Sequence, residues 1–361
     1  MNVEVGVTDP AWLQPQPAET AVALPAFCYF DESFHALERN AVFARSWQLV
    51  GREDQVAADG DHLIAEIAGV PLVVVRGNDG VLRALHNVCR HRAGPLATCN
   101  GKGASVLTCK YHGWSYALDG TLRGAPEMGR ARDFDVASIR LPQAQVAVWH
   151  GLVFAALDAA VPFAAMVDGI DRRLPARAPL SFTQRVSYAM TCDWKVYVDN
   201  FLEGYHLPFV HPQLNALLDY RTYSTELAPW FVLQSSPLER ANPLYGDGAA
   251  LYYWLYPNTM LNVLPGRLQT NRVVPLGAGR CRVDFDFFHV AGYADPAGDA
   301  QFSDLVQHED TAICEAVQRG LASGSYEPGR LNPFRERGVW HFHQLLRAGY
   351  RAAMASERAR R

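Results

Sequence analysis

Two short segments, Cys89-Arg-His91 and Cys109-Lys-Tyr-His112, stand seventeen residues apart and constrain this chain more than any other feature. Each offers one thiolate and one imidazole, so two loops must clamp a shared centre from opposite sides. The order C-x-H…C-x2-H suits a [2Fe–2S] cluster with cysteines on one iron and histidines on the other. Exchanging two thiolates for neutral imidazoles raises the reduction potential by roughly several hundred millivolts over an all-cysteine cluster. Such a cluster passes electrons inward under mild reduction. Structural zinc is the alternative, because mixed Cys/His sets also bind zinc. Zinc pairs usually run Cys-x2-Cys and His-x3-5-His, however, and rarely carry Gly113-Trp114 directly behind the last ligand. Iron–sulfur is favoured.

At 361 residues the chain is long enough for two domains of ordinary size. A net charge of −4 argues against a general nucleic-acid surface. Once Cys89 and Cys109 are assigned to iron, Cys28, Cys99, Cys192, Cys281 and Cys314 are scattered, as in a reducing cytosol. The N-terminal residues lack a basic stretch followed by an apolar one, so no secretory signal is expected. The most apolar run, 146–157, is broken by His150 and is too short to span a bilayer. The expectation is a cytoplasmic protein that engages neither nucleic acid nor membrane.

Residues 31–46 space Phe34, Leu37, Val42 and Phe43 as a helix does, after an acidic first turn. From 47 to 157 the pattern is short β-runs, with turn signals at Asn78-Asp79-Gly80, Asp119-Gly120 and His150-Gly151. Both Cys/His segments end β-runs there, which places them on loops at one tip of a small antiparallel domain. Residues 161–180 read as a Pro- and Ala-rich connector. A strand at 181–191, a helix starting near Trp194, long β-runs between 222 and 290, and helices near 299–322 and 335–358 follow. The chain thus divides into an N-terminal helical segment at 1–46, a β domain at 47–157 and a third region at 158–361. Many antiparallel strands followed by a long helix point to an α+β fold, a sheet wrapped on a helix.

The third region holds a second metal-ligating pattern, Asp199-Asn-Phe-Leu-Glu203-Gly-Tyr-His206-Leu-Pro-Phe-Val-His211-Pro. On one continuous helix, at ~100° per residue, His206 and His211 lie about 140° apart, which is wrong for one ion. Pro208 and Pro212 break that helix, leaving His206 on its last turn and His211 on the following loop, where both can face one metal. Iron that must bind O2 prefers two histidines and one carboxylate on one face, with open positions beside them. The 299–322 helix offers the carboxylate. Against an apolar stripe of Phe302, Val306, Ile313, Val317 and Leu321, Asp310 lies about 35° from the centre and Glu309 about 65°. An acid inside a buried stripe is costly unless paired or metal-bound, so Asp310 is favoured and Glu309 is the alternative. Glu203, three residues before His206, shares its face and is placed to fix the tautomer of that imidazole.

With both patterns in hand, the chain resembles the oxygenase (α) component of Rieske non-haem iron oxygenases, the ring-hydroxylating dioxygenase family. The resemblance runs through nearly the whole sequence. It rests on Cys89-x-His91, Cys109-x2-His112-Gly-Trp, DNFLEGYHLPFVH at 199–211, and the HED…CEAVQRGLAS stretch. It implies a β Rieske domain bearing the [2Fe–2S] cluster on Cys89, His91, Cys109 and His112. That domain joins a helix-grip catalytic domain with mononuclear Fe(II) on His206, His211 and Asp310. It also implies head-to-tail homotrimers in which Glu203 bridges His206 and His112 of the partner subunit. Aspartate is common at that position in ring-hydroxylating members. Glutamate resembles the subgroup that oxidises choline, betaines and carnitine, although Gly204 stands where that subgroup often has cysteine.

The function expected is O2 activation for mono- or dioxygenation, or oxidative demethylation, of a small aromatic or quaternary ammonium substrate. With no flavin or nicotinamide signature in the chain, electrons must come from a separate NAD(P)H-dependent reductase, with or without a ferredoxin. The competing reading is a Rieske-ferredoxin-like electron carrier, which needs only about a hundred residues and no second metal site. Tyr252, Trp254 and Tyr256 alternate onto one face and Tyr253 onto the other, either as a pocket wall for a ring or a cation or as sheet core. His341 and His343 lie about 200° apart on the last helix and are read as structural.

Overall fold

A computed structural model describes residues 11–174, 178–218, 220–238 and 248–360. Contacts divide them into two units: Val42–Phe163, and the described residues on either side of it.

The first unit contains β1 (Gln48–Arg52), β2 (His62–Ile67), β3 (Val70–Arg76), β4 (Leu82–His86), β5 (Leu107–Thr108), β6 (Ser115–Tyr116), β7 (Leu122–Gly124), β8 (Gln143–Trp149) and β9 (Leu152–Ala156). Six of them form an antiparallel sheet in the order β1-β9-β8-β4-β3-β2, and β5-β6-β7 form a smaller one. The chain reverses where the turn signals stand, with Gly80, Gly120 and Gly151 at φ of 73°, 86° and 75°. Alternation along β3 feeds two cores. Val73 and Val75 pack with Leu85, Trp114 and Tyr116 beneath the Cys/His loops. Leu72 and Val74 pack with Val50, Leu63 and Ile67 on the opposite face.

Side chains and backbone tie both ends of this unit, near 42 and 163, to it. Ser46 Oγ donates to the Val42 carbonyl (2.6 Å) and Gln48 Nε2 to the Phe43 carbonyl (2.8 Å), so the first helix stops short of 46. Trp47 Nε1 donates to the Val161 carbonyl at 2.9 Å, and its ring meets Phe163 edge-on at 5.3 Å.

The second unit is built on β10 (Leu180–Met190), β11 (Ser224–Leu227), β12 (Phe231–Pro237), β13 (Ala249–Leu255), β14 (Thr259–Leu264), β15 (Arg267–Gly277) and β16 (Arg280–Val290). They form one antiparallel sheet in the order β10-β16-β15-β14-β13-β12-β11. Its helices include α1 (Glu32–Ala41), α2 (Trp194–Phe201), α3 (Leu207–Val210), α4 (Pro212–Leu217), α5 (Pro296–Ala322) and α6 (Arg337–Arg360). α2 packs on β15, β16 and α5, while α6 packs on α1 and α2. The whole is the α+β class expected: a β domain, then an antiparallel sheet with long C-terminal helices. No helix among the described residues is long and apolar enough to cross a membrane.

The buried face of α5 corrects the stripe drawn from sequence. Asp299, Ser303, Gln307, Cys314, Gln318 and Leu321 point inward, whereas Val317 is 45% exposed. Ile313 and Val317 line a cavity of about 510 Å³ instead. A polar face can be buried here because its groups find partners. Asp299 pairs with Arg267 and His289, Ser303 Oγ donates to Gln269 Oε1 (3.0 Å), and Gln318 Oε1 accepts from the Asp193 N–H (2.9 Å).

A buried charge cluster fastens α1 and α6 to α2. Lys195 Nζ lies 2.9 Å from Glu38 and 2.6 Å from Asp193, with all three side chains at most 2% exposed. Glu38 also accepts from Trp194 Nε1 (2.9 Å) and from the Tyr350 hydroxyl (2.6 Å). Removing one partner strands the others without water. We expect Lys195→Met to cost about 3–5 kcal/mol in chemical denaturation, and an unchanged midpoint would contradict that role.

Candidate active site

The two Cys/His loops repeat one turn. The Cys89 N–H donates to the Gly94 carbonyl and Ala93 N–H to the Cys89 carbonyl, at 2.9 and 3.0 Å. Cys109 does the same with Trp114 and Gly113, both at 2.9 Å. A Cβ on Gly94 would sit 2.8 Å from Cys109 Sγ, so glycine is what lets the loops close on each other. Asn87 braces the first loop, its Oδ1 accepting from the N–H groups of Leu96 (2.7 Å) and Ala97 (3.0 Å). The Tyr116 hydroxyl lies 3.3 Å from Cys89 Sγ. Burial, then the Cys89 sulfur, raise its pKa well above the ordinary phenol value, so it remains a donor to sulfur.

Cys89 and Cys109 are buried while His91 and His112 are exposed, with their rings 4.6 Å apart. The His91 ring also stacks on Trp114 at 4.8 Å. These donors fit a [2Fe–2S] cluster whose cysteine-bound iron is shielded and whose histidine-bound iron sits at the surface, where electrons enter and leave.

In the second unit α2 ends at Phe201, five residues earlier than the His206 turn assigned to it from sequence. His206 instead caps α3, and His211 stands between α3 and α4. Pro208 and Pro212 occupy first-turn positions, so they start these short helices rather than end a long one. The outcome is still convergence, with the imidazole rings 5.1 Å apart. Donor atoms of His206, His211 and Asp310 all lie within 4.8 Å of one another. Asp310 Oδ1 is 2.9 Å from His211 Nε2 and 4.0 Å from His206 Nε2.

Two glutamates hold the outer nitrogens. Glu203 Oε1 is 2.5 Å from His206 Nδ1, and Glu309 Oε2 is 2.6 Å from His211 Nδ1. Each Nδ1 donates its proton to a carboxylate, leaving both Nε2 lone pairs for a metal beside Asp310. The same Glu203 accepts from the His206 N–H (3.1 Å) and from the Tyr205 N–H, which ties its carboxylate to the turn. Burial alone would lower the pKa of His211, but Asp310 and Glu309 outweigh it and the net shift is upward. Sequence reading missed the place of Glu309 behind His211. It also missed Asn200, whose Nδ2 donates to Asp310 Oδ1 at 2.6 Å. Its place three residues before Glu203 would have been the signal. Two histidines and one carboxylate on one face fit ferrous iron, and the open side is a cavity of about 100 Å³.

Tyr197, Tyr223, Tyr252 and Phe285 supply aromatic wall to that cavity, and Asn262, Gln269, Asn271 and Gln307 supply amides. Of the expected aromatic face only Tyr252 reaches it. Trp254 packs on Phe342 at 5.2 Å, Tyr256 lies 6.0 Å from Trp254, and Tyr253 is buried on the other face. His343 is structural, its Nε2 lying 2.9 Å from Asp199 Oδ1.

Gly204 is explained by Tyr223. A Cβ there would meet the tyrosine ring at 2.9–3.1 Å, so any side chain drives that ring from the wall. Gly204→Ala should lower stability by about 1–3 kcal/mol through overpacking and raise KM while leaving iron content unchanged. Steady-state kinetics with metal analysis checks this; an unchanged KM would show that the ring plays no part in binding.

Comparison with known proteins agrees with the geometry. Residues 46–143 match the model of the Rieske [2Fe-2S] domain, and 179–352 that of the ring hydroxylating alpha subunit (catalytic domain). Chloroplastic choline monooxygenase of Arabidopsis thaliana is 35% identical over 91% of this chain and 83% of its own. The carnitine monooxygenase oxygenase subunit of Escherichia coli K12 is 32% identical over 92% and 94%. A solved quaternary ammonium Rieske monooxygenase, described for carnitine oxidation and inter-subunit electron transfer, superimposes with a TM-score of 0.84. It is 26% identical over 93% of this chain and 99% of that one. A catalytic domain beside the Rieske domain sets aside both the electron carrier and the zinc protein. The chain belongs to the Rieske non-haem iron oxygenases as an alpha subunit, a terminal oxygenase that uses a [2Fe–2S] cluster and a mononuclear iron to activate O2 and depends on a reductase for electrons.

Proposed function

We propose that this oxygenase acts on a quaternary ammonium compound, as a monooxygenase. The observation that carries the reading is the cavity beside His206, His211 and Asp310. Tyr197, Tyr223, Tyr252 and Phe285 line it together with the carboxylates of Glu203 and Asp310, a combination that suits a trimethylammonium group. Relatives named for choline and carnitine oxidation support it, as does glutamate at position 203.

In this reading Cys89 and Cys109 hold the inner cluster iron and His91 and His112 the outer one. His206, His211 and Asp310 hold the catalytic iron, while Glu203 and Glu309 orient the two histidines. Bound there, iron supplies O2 activation, and the cavity residues exclude water and hold the substrate. Subunits assemble head to tail as homotrimers, so that Glu203 also reaches the partner subunit's His112. An NAD(P)H-dependent reductase, directly or through a ferredoxin, feeds the cluster, and the protein works in the cytoplasm.

A substrate panel with a surrogate reductase tests the reading, with products scored by mass. Choline, carnitine and glycine betaine stand against naphthalene and benzoate. Oxygenation or demethylation of a quaternary ammonium compound is expected. Turnover confined to the aromatic compounds would reject it.

A further inference from the structure

We propose that Asn262 reads a hydroxyl group on the substrate and makes the cavity selective for a quaternary amino alcohol over a carboxylate-bearing analogue. The proposal rests on the quaternary ammonium reading above and narrows it.

Tyr252, Asn262 and Gln269 are direct cross-strand neighbours on β13, β14 and β15, and all three line the cavity beside the metal ligands. The neighbouring amides are engaged. Gln269 Nε2 donates to Asn271 Oδ1 (2.8 Å), and its Oε1 accepts from Ser303 Oγ (3.0 Å). Gln307 Oε1 accepts from the Tyr197 hydroxyl (2.7 Å), and its Nε2 donates to Thr311 Oγ1 (3.2 Å). Asn262 differs: its side-chain oxygen is buried and has no hydrogen-bond partner. A buried acceptor without a donor is costly, and that cost is relieved when a bound molecule brings an O–H to it. A row of amides in mid-sheet, one of them with an unpaired oxygen and itself part of the cavity lining, is the arrangement of a site awaiting a donor.

Charge sets the other half of the preference. A carboxylate taken from water needs a cation or several N–H donors. No lysine or arginine is among the described residues lining the cavity. Arg267, on the adjoining strand, is committed to Asp299. A substrate carboxylate gains nothing from Asn262 Oδ1, which can only accept, and it enters a site that already holds Asp310 and Glu203. A neutral hydroxyl tail meets neither obstacle.

The test is calorimetric titration of the metal-replete protein under anaerobic conditions, where binding is read without turnover. The probes are choline, propyltrimethylammonium (a methyl group replacing the hydroxyl) and L-carnitine. Choline should bind about tenfold more tightly than propyltrimethylammonium, the worth of one net hydrogen bond, and more tightly still than carnitine. Asn262→Leu should bring the choline to propyltrimethylammonium ratio close to one. Asn262→Asp retains an acceptor and should keep choline ahead, so the inference stays testable even if the leucine variant fails to fold. Equal binding of choline and propyltrimethylammonium by the unaltered protein would overturn the role of Asn262, as would an undiminished ratio in Asn262→Leu. Carnitine binding as tightly as choline would overturn the charge argument. Binding of none of the three would reject the quaternary ammonium reading itself and the inference with it.

Discussion

Asp310→Ala should retain the cluster absorbance and lose about one iron per chain, with product formation falling to background. Asp310 is the carboxylate whose oxygen faces both histidines, 2.9 Å from His211 Nε2 and 4.0 Å from His206 Nε2. Without it, two neutral imidazoles must hold the ion alone. Glu309→Ala should behave differently. It removes the partner 2.6 Å from His211 Nδ1 but leaves all three donors, so iron affinity falls by about 10- to 100-fold. Added ferrous iron should then restore activity. Metal analysis and turnover across an iron titration separate the two variants. The reverse pattern, with Asp310→Ala active and Glu309→Ala beyond rescue, would exchange their roles.

Glu203→Gln should keep both metals and the assembly state while turnover drops by about 100-fold. The amide oxygen can still accept from His206 Nδ1, but the negative charge supporting that imidazole is gone. The amide nitrogen, unlike a carboxylate oxygen, cannot accept from a second histidine. Rapid mixing should show the reduced cluster persisting in the presence of substrate and O2. Mixed trimers extend the prediction. If the subunits form the proposed head-to-tail trimers, His112→Ala and His206→Ala subunits, each inactive alone, should regain partial activity when co-assembled, because a cluster-dead subunit would be fed by its neighbour. No recovery in verified mixed trimers would place electron transfer within one chain and remove the bridging role of Glu203.

What could be read from the sequence depended on distance along the chain. Cys89, His91, Cys109 and His112 declare themselves because each pair lies within one loop, and their flanking turns follow hairpin signals at Gly80, Gly120 and Gly151. His206 and His211 are five residues apart, so their convergence was legible even though Pro208 and Pro212 act by starting helices rather than ending one. Asp310 lies 110 residues from Asn200, which it contacts, and only the packing of α2 on α5 joins them. The sequence led to Asp310 through an apolar stripe only part of which faces the core: Leu321 is buried, whereas Val317 is 45% exposed. The buried face is polar because Arg267, Gln269 and the Asp193 backbone wait for it inside the fold. Partners of that kind leave no periodic trace. The same holds for Lys195 between two carboxylates and for Tyr223 against Gly204, each set by a neighbour in space rather than in sequence.

The most direct measurement is a single turnover without reductase. Protein with iron at both centres is reduced in advance, freed of reductant, and mixed with choline and O2. The cluster should reoxidise together with formation of an oxygenated or demethylated choline product, scored by mass, and neither event should be fast when choline is left out. Reoxidation with no such product, from choline or any other quaternary ammonium compound tried, would contradict the account.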